Sequence, residues 1–198
     1  MGYLSENCAF APLTEQLHSL LTGFDCQHEP AIQTFFRDEA ILNAQELMSK
    51  SYCFYKKDTM EAVAAFCVIN TDISVDLIPK STRNKLNRKI PYAKQRDHYP
   101  AVLIGQIAVF DNFRKYHLGD ELMASIKWWL RNVANLVAAR YLVVDAVNRE
   151  KVLEFYKRNQ FWPVFKTEDD ERQANELEDG QPLETRFMIA DLKISGNT

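Results

Sequence analysis

One stretch of the chain, residues 99–137, constrains the fold more than any other. Residues 102–110 are apolar and rich in β-branched side chains, as in a buried central strand. Downstream, apolar residues recur at three- and four-residue spacing and predict an amphipathic helix: Leu122, Ile126, Trp129, Leu130, Val133, Leu136 and Val137. A buried strand that leads through a short connection into a helix indicates an α/β domain.

The connection, residues 114–120, has the basic, glycine-containing sequence RKYHLGD. The first amides of a helix lack intrahelical acceptors and lie at the positive end of the helix dipole. A loop of this kind before a helix therefore favours an anion, most naturally a phosphate. A Walker loop is excluded because no Gly-Lys-Ser/Thr follows, and a dinucleotide fingerprint is excluded because G-x-G-x-x-G is absent.

The loop resembles motif A of the GNAT acetyltransferases, which reads Arg/Gln-x-x-Gly-x-Gly/Ala after a central strand. Arg114 fills the first position and Gly119 the last, whereas His117 stands where the family most often has glycine. A second segment resembles the family signature N…FY-x-x-x-GF. It runs from Asn148 through the pair at residues 155–156, with glutamine at position 160 in the place of the usual glycine.

The resemblance implies the GNAT acyl-CoA N-acyltransferase fold, an α/β fold whose mixed, mostly antiparallel sheet has a central splayed strand pair flanked by helices. It implies acetyl-CoA as the acyl donor, without a metal. The binding residues implied are Ile107, Ala108, Val109, Arg114, Lys115, His117, Leu118, Gly119, Asp120, Asn148 and Phe155. Backbone amides of the splayed strand would polarise the thioester carbonyl, and the loop would hold the diphosphate by charge-assisted bonds.

Tyr156 is the catalytic candidate, because its place in the FY pair matches the tyrosine with which the family protonates the thiolate of coenzyme A. The alternative is that it is an ordinary core aromatic at helical spacing, as expected for its neighbour at position 155. For a general base, Glu121, Asp145 and Glu154 are available, although each fits a surface or capping role better. An α-amino group, with a pKa of about 8, can use water as the base.

Three upstream segments resemble the GNAT enzymes that act as toxins in toxin–antitoxin pairs: residues 24–26 (FDC), the helix-like residues 31–47 and residues 99–102. The leading prediction is an acetyl-CoA-dependent N-acetyltransferase that acts on a primary amine of unknown identity. The toxin resemblance implies a narrower alternative, acetylation of the α-amino group of aminoacyl-tRNA. A third alternative is a catalytically inactive acyl-CoA-binding homologue, which the residues replacing glycine at positions 117 and 160 favour.

The net charge of −3 hides two segments of opposite charge. Residues 80–96 contain seven basic residues and no acidic one, whereas residues 168–184 contain eight acidic residues and one basic residue. Either segment can be a solvated face. The basic segment, Lys80 to Arg96, is also a candidate surface for tRNA or for a ribbon-helix-helix antitoxin.

We predict one domain over residues 1–198, with an N-terminal arm at 1–23 and an acidic surface insertion at 168–184. The remaining expectations are a helix at 13–21 capped by Thr14, a helix that begins at Pro30, strands at 51–55, 62–70, 141–147, 162–165 and 185–192, a mobile loop with one helical turn at 72–97, and Asn148 as a helix N-cap. No apolar run is long enough to span a membrane, and no secretory signal is seen. We therefore expect a cytoplasmic monomer or homodimer whose four scattered cysteines are free thiols.

Overall fold

The computed structural model describes residues 2–87, 90–132, 134, 138–178 and 180–193, except the side chain of Lys94. Seven strands are described: β1 (Ala9–Pro12), β2 (Lys50–Tyr55), β3 (Ala62–Ser74), β4 (His98–Val109), β5 (Tyr141–Val147), β6 (Trp162–Pro163) and β7 (Thr185–Asp191). They form one mixed sheet in the order β1-β2-β3-β4-β5-β7-β6. The predicted mixed α/β architecture is confirmed.

Eight α-helices are described. They are α1 (Tyr3–Asn7), α2 (Glu15–Leu20), α3 (Pro30–Thr34), α4 (Ala40–Gln45), α5 (Lys80–Asn87), α6 (Gly119–Arg131), α7 (Glu150–Arg158) and α8 (Glu168–Ala174). A π-helical turn at Phe35–Glu39 joins α3 to α4, and 3-10 turns occur at Val75–Leu77, Ala93–Gln95 and Asp111–Tyr116. None of these described helices has the combination of length and apolarity that a membrane span needs.

The chain forms two compact units, of which the first contains Met1–Asn70 and Ile104–Trp129. Its core surrounds the fully buried rings of Phe36 and Phe110, which meet edge to face with centroids 5.9 Å apart. The predicted cap of α2 is confirmed, because the hydroxyl of Thr14 accepts from the Leu17 amide at 3.2 Å. The predicted helix start at Pro30 is also confirmed.

Two features of this unit differ from the sequence prediction. Residues 1–23 are more than an arm, because Ala9–Pro12 forms an edge strand antiparallel to β2. The helix predicted over residues 31–47 is interrupted by the π-helical turn, in which the Ala40 amide bonds to the Phe35 carbonyl five residues earlier. A turn of this kind adds a residue and shifts the helical register, which explains the irregular apolar spacing of the segment.

The second unit contains Thr71–Leu103 and Leu130–Thr198. In it β5 is antiparallel to β7 along its whole length, from the pair Tyr141–Asp191 to the pair Val147–Thr185. The pairing of β5 with β4 is parallel and consists of residues 141–143 with residues 101–103, at the start of β5. The buried side chains of Tyr99, Tyr141 and Ile189 belong to the core of this unit.

Three predictions for the second unit need correction. The mobile loop predicted at 72–97 contains the eight-residue helix α5, which forms because Leu86 buries its side chain in the core. Asn148 is not the N-cap of α7; that position is Arg149, and the Asn148 side chain donates to the Leu183 carbonyl at 3.0 Å. The predicted surface segment at 168–184 includes Glu171, which is 1% exposed. Arg88, Lys89, Val133, Leu136, Val137 and Asp179 lie outside the described residues.

Three helices end in the same way although none has glycine after its C-cap. Each has a non-glycine residue at positive φ in the C′ position, and the next amide bonds back to the carbonyl of the helix residue three from the end, as in the Schellman motif. The C′ residues are Leu47 (φ 58°), Gln160 (φ 65°) and Glu176 (φ 54°). The closing bonds are Met48 to Asn43 at 2.9 Å, Phe161 to Tyr156 at 3.0 Å and Leu177 to Arg172 at 3.0 Å.

We expect Gln160→Gly to raise the free energy of unfolding by about 0.5–1 kcal/mol. A non-glycine residue in the left-handed conformation costs roughly 1–2 kcal/mol, and glycine removes this cost. Glycine also increases the conformational entropy of the unfolded chain, which lowers the gain by about 0.4–1 kcal/mol. Urea unfolding measures the change. Glu154→Gly, an exposed position inside the same helix, is the control and should lower stability by about 1 kcal/mol. Equal losses in the two variants would contradict the prediction.

Candidate functional site

The loop after β4 is a 3-10 turn, Asp111–Tyr116, followed by His117 in the left-handed conformation (φ 53°, ψ 41°). The side chains of Arg114, Lys115 and His117 are exposed, whereas Leu118 is buried and anchors the loop. The His117 amide donates to the Arg114 carbonyl at 3.0 Å, so this amide is used inside the loop.

Helix α6 begins immediately after this loop. Its first turn starts at Gly119, and the Leu122 amide donates to the Leu118 carbonyl at 2.8 Å. By helix geometry, the amides ahead of Leu122 have no acceptor within the helix. Two exposed cations, at positions 114 and 115, therefore precede a helix N-terminus, which is the arrangement that attracts an anion.

Asp111 fixes the start of the loop to the segment that precedes α3. Its amide donates to the Asp25 carbonyl at 2.9 Å, and its carboxylate accepts from the Gln27 amide at 3.0 Å. The same carboxylate lies 3.3 Å from Nδ1 of His28. Sequence reasoning missed Asp111, although an acidic residue directly after a buried strand is a usable signal for a residue that fixes a loop. The upstream segment with toxin-type resemblance thus contacts the loop after β4.

The strand β4 directs alternate amides to opposite edges. The Phe110 amide donates to the Val63 carbonyl of β3 at 3.0 Å. Because backbone N–H directions alternate along a strand, the amides of Ile107 and Val109 point away from β3. Ala108, between them, is buried.

The second signature lies in the second unit, on α7. Tyr156 is 7% exposed, and its ring centroid lies 5.1 Å from that of Phe155 and 5.3 Å from that of Phe161. The Schellman bond from the Phe161 amide to the Tyr156 carbonyl fixes this packing. Burial raises the pKa of Tyr156 to about 12. The phenol is therefore protonated at neutral pH.

Two other residues that the sequence predicted for the site, Phe155 and Asn148, also lie in this unit. Phe155 is half-buried beside Tyr156, as a core aromatic would be. Asn148 joins the end of β5 to residues 183–184, since its amide also donates to the Glu184 carbonyl at 2.8 Å.

The three carboxylates that the sequence offered as candidate general bases have different surroundings in the structure. The Glu121 carboxylate has a structural role, because its Oε1 accepts hydrogen bonds from the amides of Leu4 at 2.8 Å and Ser5 at 3.3 Å, in the first turn of α1. Glu154 is exposed on α7. Asp145 on β5 is exposed to solvent, and desolvation of its carboxyl raises its pKa.

No protein-family model matches the sequence, and a search of curated proteins finds no match. Solved structures are similar over most of the chain. AtaTR bound with acetyl-CoA has a TM-score of 0.66 at 17% identity and covers 95% of both chains. AtaT complexed with acetyl-methionyl-tRNAfMet has a TM-score of 0.59 at 18% identity and covers 91% of this chain and 94% of that one.

A third similar structure is a tyrosine-to-phenylalanine mutant of the toxin AtaT, bound to the C-terminus of the antitoxin AtaR and to acetyl-CoA. Its TM-score is 0.57 at 14% identity, with 95% of both chains covered. The chain therefore has the GNAT acetyltransferase fold and resembles toxin-type GNAT structures.

Proposed function

We propose that this protein is an acetyl-CoA-dependent N-acetyltransferase, in which a primary amine attacks the thioester directly. The observation that carries the proposal is the junction of β4 with α6, where exposed Arg114 and Lys115 precede a helix N-terminus in a GNAT fold. A structure with the same fold is bound with acetyl-CoA.

The junction suits a diphosphate. Arg114 and Lys115 supply two cations for charge-assisted hydrogen bonds, and the start of α6 at Gly119 supplies a backbone donor and a helix dipole. The bonds from Asp111 to the Asp25–His28 segment keep the loop in place before ligand binds. A rigid loop loses less conformational freedom on binding, which strengthens affinity.

The reaction needs a polarised carbonyl and a proton for the leaving group. The amides of Ile107 and Val109 are the proposed donors to the carbonyl oxygen, each worth about 3–4 kcal/mol in the transition state. The neutral amine nitrogen forms a bond to the carbonyl carbon and gives up one proton to water, and the carbon–sulfur bond breaks. The departing thiolate takes the Tyr156 proton, which the phenolate regains from solvent. Tyr156 is protonated at neutral pH, so the proton is present when the thiolate departs.

The residues that replace glycine favour an active enzyme over an inactive homologue. His117 and Gln160 both have positive φ, so the backbone keeps the conformation for which glycine is suited. The two substitutions therefore change side chains and local stability, and they leave the backbone path of both signatures intact.

The narrower proposal is a toxin that acetylates the α-amino group of aminoacyl-tRNA and is held by an antitoxin. AtaT has been captured with acetyl-methionyl-tRNAfMet and, as a mutant toxin, with an antitoxin C-terminus. In the basic segment, Lys80 and Arg96 are exposed and suit phosphate contacts. Arg83 and Lys85 contribute less, because they engage the Val75 carbonyl and the Trp162 ring.

The test is acetyl transfer from radiolabelled acetyl-CoA to aminoacyl-tRNA, with deacylated tRNA and peptide amines as parallel acceptors. We expect saturable acetyl-CoA binding and label on an amine. Label confined to aminoacyl-tRNA, with growth arrest on expression, supports the toxin. Absence of acetyl-CoA binding in calorimetry would remove the whole proposal.

His117→Gly is expected to tighten acetyl-CoA binding about threefold to fivefold and to stabilise the protein. Glycine adopts the observed φ of 53° without strain and removes a Cβ where the backbone approaches the ligand. Calorimetric titration measures the affinity. His117→Ala is the control, since it removes the imidazole but keeps the Cβ; weaker binding by the glycine variant than by the alanine variant would contradict the prediction.

A further inference from the structure

The N-terminal helix α1 packs on the loop that follows β4 and on the first turn of α6, within the first unit. It has only five residues, Tyr3–Asn7, and a helix of this length is not stable in water by itself. The side chain of Leu4 is 1% exposed, so α1 is held against the body of the unit. The formation of α1 therefore depends on its tertiary contacts.

One of these contacts is the Glu121 carboxylate, which lies in the first turn of α6 and caps α1. The N-cap residue of α1 is Gly2, which has no side chain to accept from the first amides of the helix. Oε1 of Glu121 accepts from the amides of Leu4 and Ser5 instead. A Cβ at position 2 would overlap with this carboxylate, so the close approach of the two helices requires glycine there.

Three aromatic rings join α1 to the loop after β4. The Tyr3 ring stacks on the Tyr116 ring, with centroids 4.6 Å apart and planes inclined by 22°. The Phe113 ring lies 6.4 Å from the Tyr3 ring and 6.3 Å from the Tyr116 ring. Phe113 is buried, whereas Tyr116 is 45% exposed even with Tyr3 in place. Tyr3 thus covers a ring that otherwise would have little to hold it.

Tyr116 lies between two residues of the proposed diphosphate site. The ammonium group of Lys115 lies 5.2 Å from the centroid of the Tyr116 ring, and His117 follows in the left-handed conformation. A cation near an aromatic face is attracted to that face, so the position of the ring restricts where the ammonium group lies. Through Tyr116, Tyr3 therefore acts on a cation of the loop.

We propose that Tyr3 is a positioning residue for acetyl-CoA: by stacking on Tyr116 it holds Lys115 and the 3-10 turn in the arrangement that receives the diphosphate. Glu121 contributes by holding α1 in place. The inference rests on the proposed acetyltransferase function and adds α1 to the same site. A loop that is ordered before binding loses less conformational freedom, which strengthens affinity.

Tyr3→Ala is expected to raise the Kd of acetyl-CoA about fivefold, because the loop loses a ring contact and becomes less ordered before binding. Tyr3→Phe keeps the ring and should bind within about twofold of the wild type. In Tyr3→Ala the KM for acetyl-CoA should rise with the Kd, whereas kcat should stay within about twofold, since the residue contacts the loop and not the reacting atoms. Calorimetric titration and steady-state acetyl transfer measure these quantities.

Phe10→Ala is the control for a general loss of stability. Phe10 is another N-terminal aromatic residue, on β1, and its ring lies 4.7 Å from that of Phe54 on β2. Its loss should leave the Kd of acetyl-CoA within about twofold of the wild type, because the ring packs on the sheet. The proposal is overturned if Tyr3→Ala binds like the wild type, or if Phe10→Ala weakens binding as much as Tyr3→Ala does.

Two variants of Glu121 separate the docking of α1 from charge. Glu121→Gln and Glu121→Ala remove the same negative charge, but glutamine keeps an oxygen that can accept from the two amides of α1. Glu121→Ala should therefore bind acetyl-CoA about threefold more weakly than Glu121→Gln. Equal Kd values in these two variants would overturn the proposal.

Hydrogen exchange tests the same coupling in the wild-type protein, and it decides the matter if Tyr3→Ala fails to fold. Coupling is reciprocal, so acetyl-CoA should suppress the undocking of α1 by the factor with which undocking weakens binding. Saturating acetyl-CoA should slow exchange of the Leu4 and Ser5 amides about fivefold and leave α2, in the same unit, unchanged. Unchanged exchange in α1, or equal slowing in α1 and α2, would overturn the proposal.

The failure of this inference differs from the failure of the proposed function. If the wild type does not bind acetyl-CoA, the acetyltransferase proposal fails and the role of α1 fails with it. If the wild type binds acetyl-CoA and transfers the acetyl group, but Tyr3→Ala and Tyr3→Phe have equal Kd values, only the role of Tyr3 is rejected.

Discussion

Tyr156→Phe is expected to lower kcat for acetyl transfer by at least 100-fold and to leave the Kd of acetyl-CoA unchanged. General acid catalysis contributes typically 10²–10⁴-fold, and phenylalanine keeps the ring packing against Phe155 and Phe161 while removing the proton donor. Steady-state kinetics and calorimetric titration of the same protein measure the two quantities. Expression of the variant should also relieve any growth arrest that the wild type causes.

Tyr141→Phe is the matched control for this result. Tyr141 is also buried in the second unit with its pKa raised to about 12, but its hydroxyl donates to the Leu86 carbonyl at 3.3 Å and serves packing. Its loss should lower stability by about 1 kcal/mol and leave kcat within twofold of the wild type. If both variants keep full turnover, or if both lose it equally, Tyr156 is not the acid.

The order of strand, loop and helix around β4 could be predicted because the spacing of apolar residues alone indicates it. A long β-branched run and a regular apolar stripe each have one reasonable interpretation. Strand β1 gave no such signal, because its four residues, AFAP, are all apolar without alternation and include Pro12. Its place is set by pairing with β2, a contact between segments 40 residues or more apart that no local pattern encodes.

The backbone conformations of His117 and Gln160 show a second limit of prediction from sequence. The sequence reveals that glycine is replaced, yet non-glycine residues rarely adopt positive φ, so the ordinary expectation is a changed backbone. The structure instead keeps positive φ at both positions. In α7 the cause is visible, since the Schellman bonds and the contact of Phe161 with Tyr156 together outweigh a local cost of roughly 1–2 kcal/mol.

Side-chain contacts between distant segments account for most of what sequence reasoning missed at the candidate site. Asp111 acts through residues 25–28, and the Glu121 carboxylate accepts from the amide of Leu4, 117 residues away. Whether a carboxylate is paired depends on tertiary packing, whereas a sequence shows only charge and spacing. Glu121 was therefore visible as one candidate among three and could not be distinguished from Asp145 and Glu154.

Glu171→Ala is expected to lower the free energy of unfolding by about 3–5 kcal/mol, the largest stability loss that we predict. Glu171 is 1% exposed, and its carboxylate accepts from the Arg186 guanidinium and from the Phe187 amide. Alanine would remove the buried carboxylate nearest to the Arg186 cation and the acceptor of the partly buried Phe187 amide. Breaking a buried ion pair from one side costs about this amount. Urea unfolding, followed by tryptophan fluorescence, measures the loss.

Glu168→Ala provides a control on the same helix and the same partner. Its carboxylate lies 3.6 Å from Nη1 of Arg186, but its side chain is 53% exposed, so water compensates for its removal and the loss should stay below about 1 kcal/mol. In the double variant Glu171→Leu with Arg186→Met, no charge remains buried, and most of the stability should return because apolar packing can replace a buried pair. The prediction would be contradicted if Glu171→Ala lowered the free energy of unfolding no more than Glu168→Ala. The acidic segment would then be a solvated face, and the Phe165 carbonyl, 3.3 Å from Nη2, would be a sufficient acceptor for Arg186.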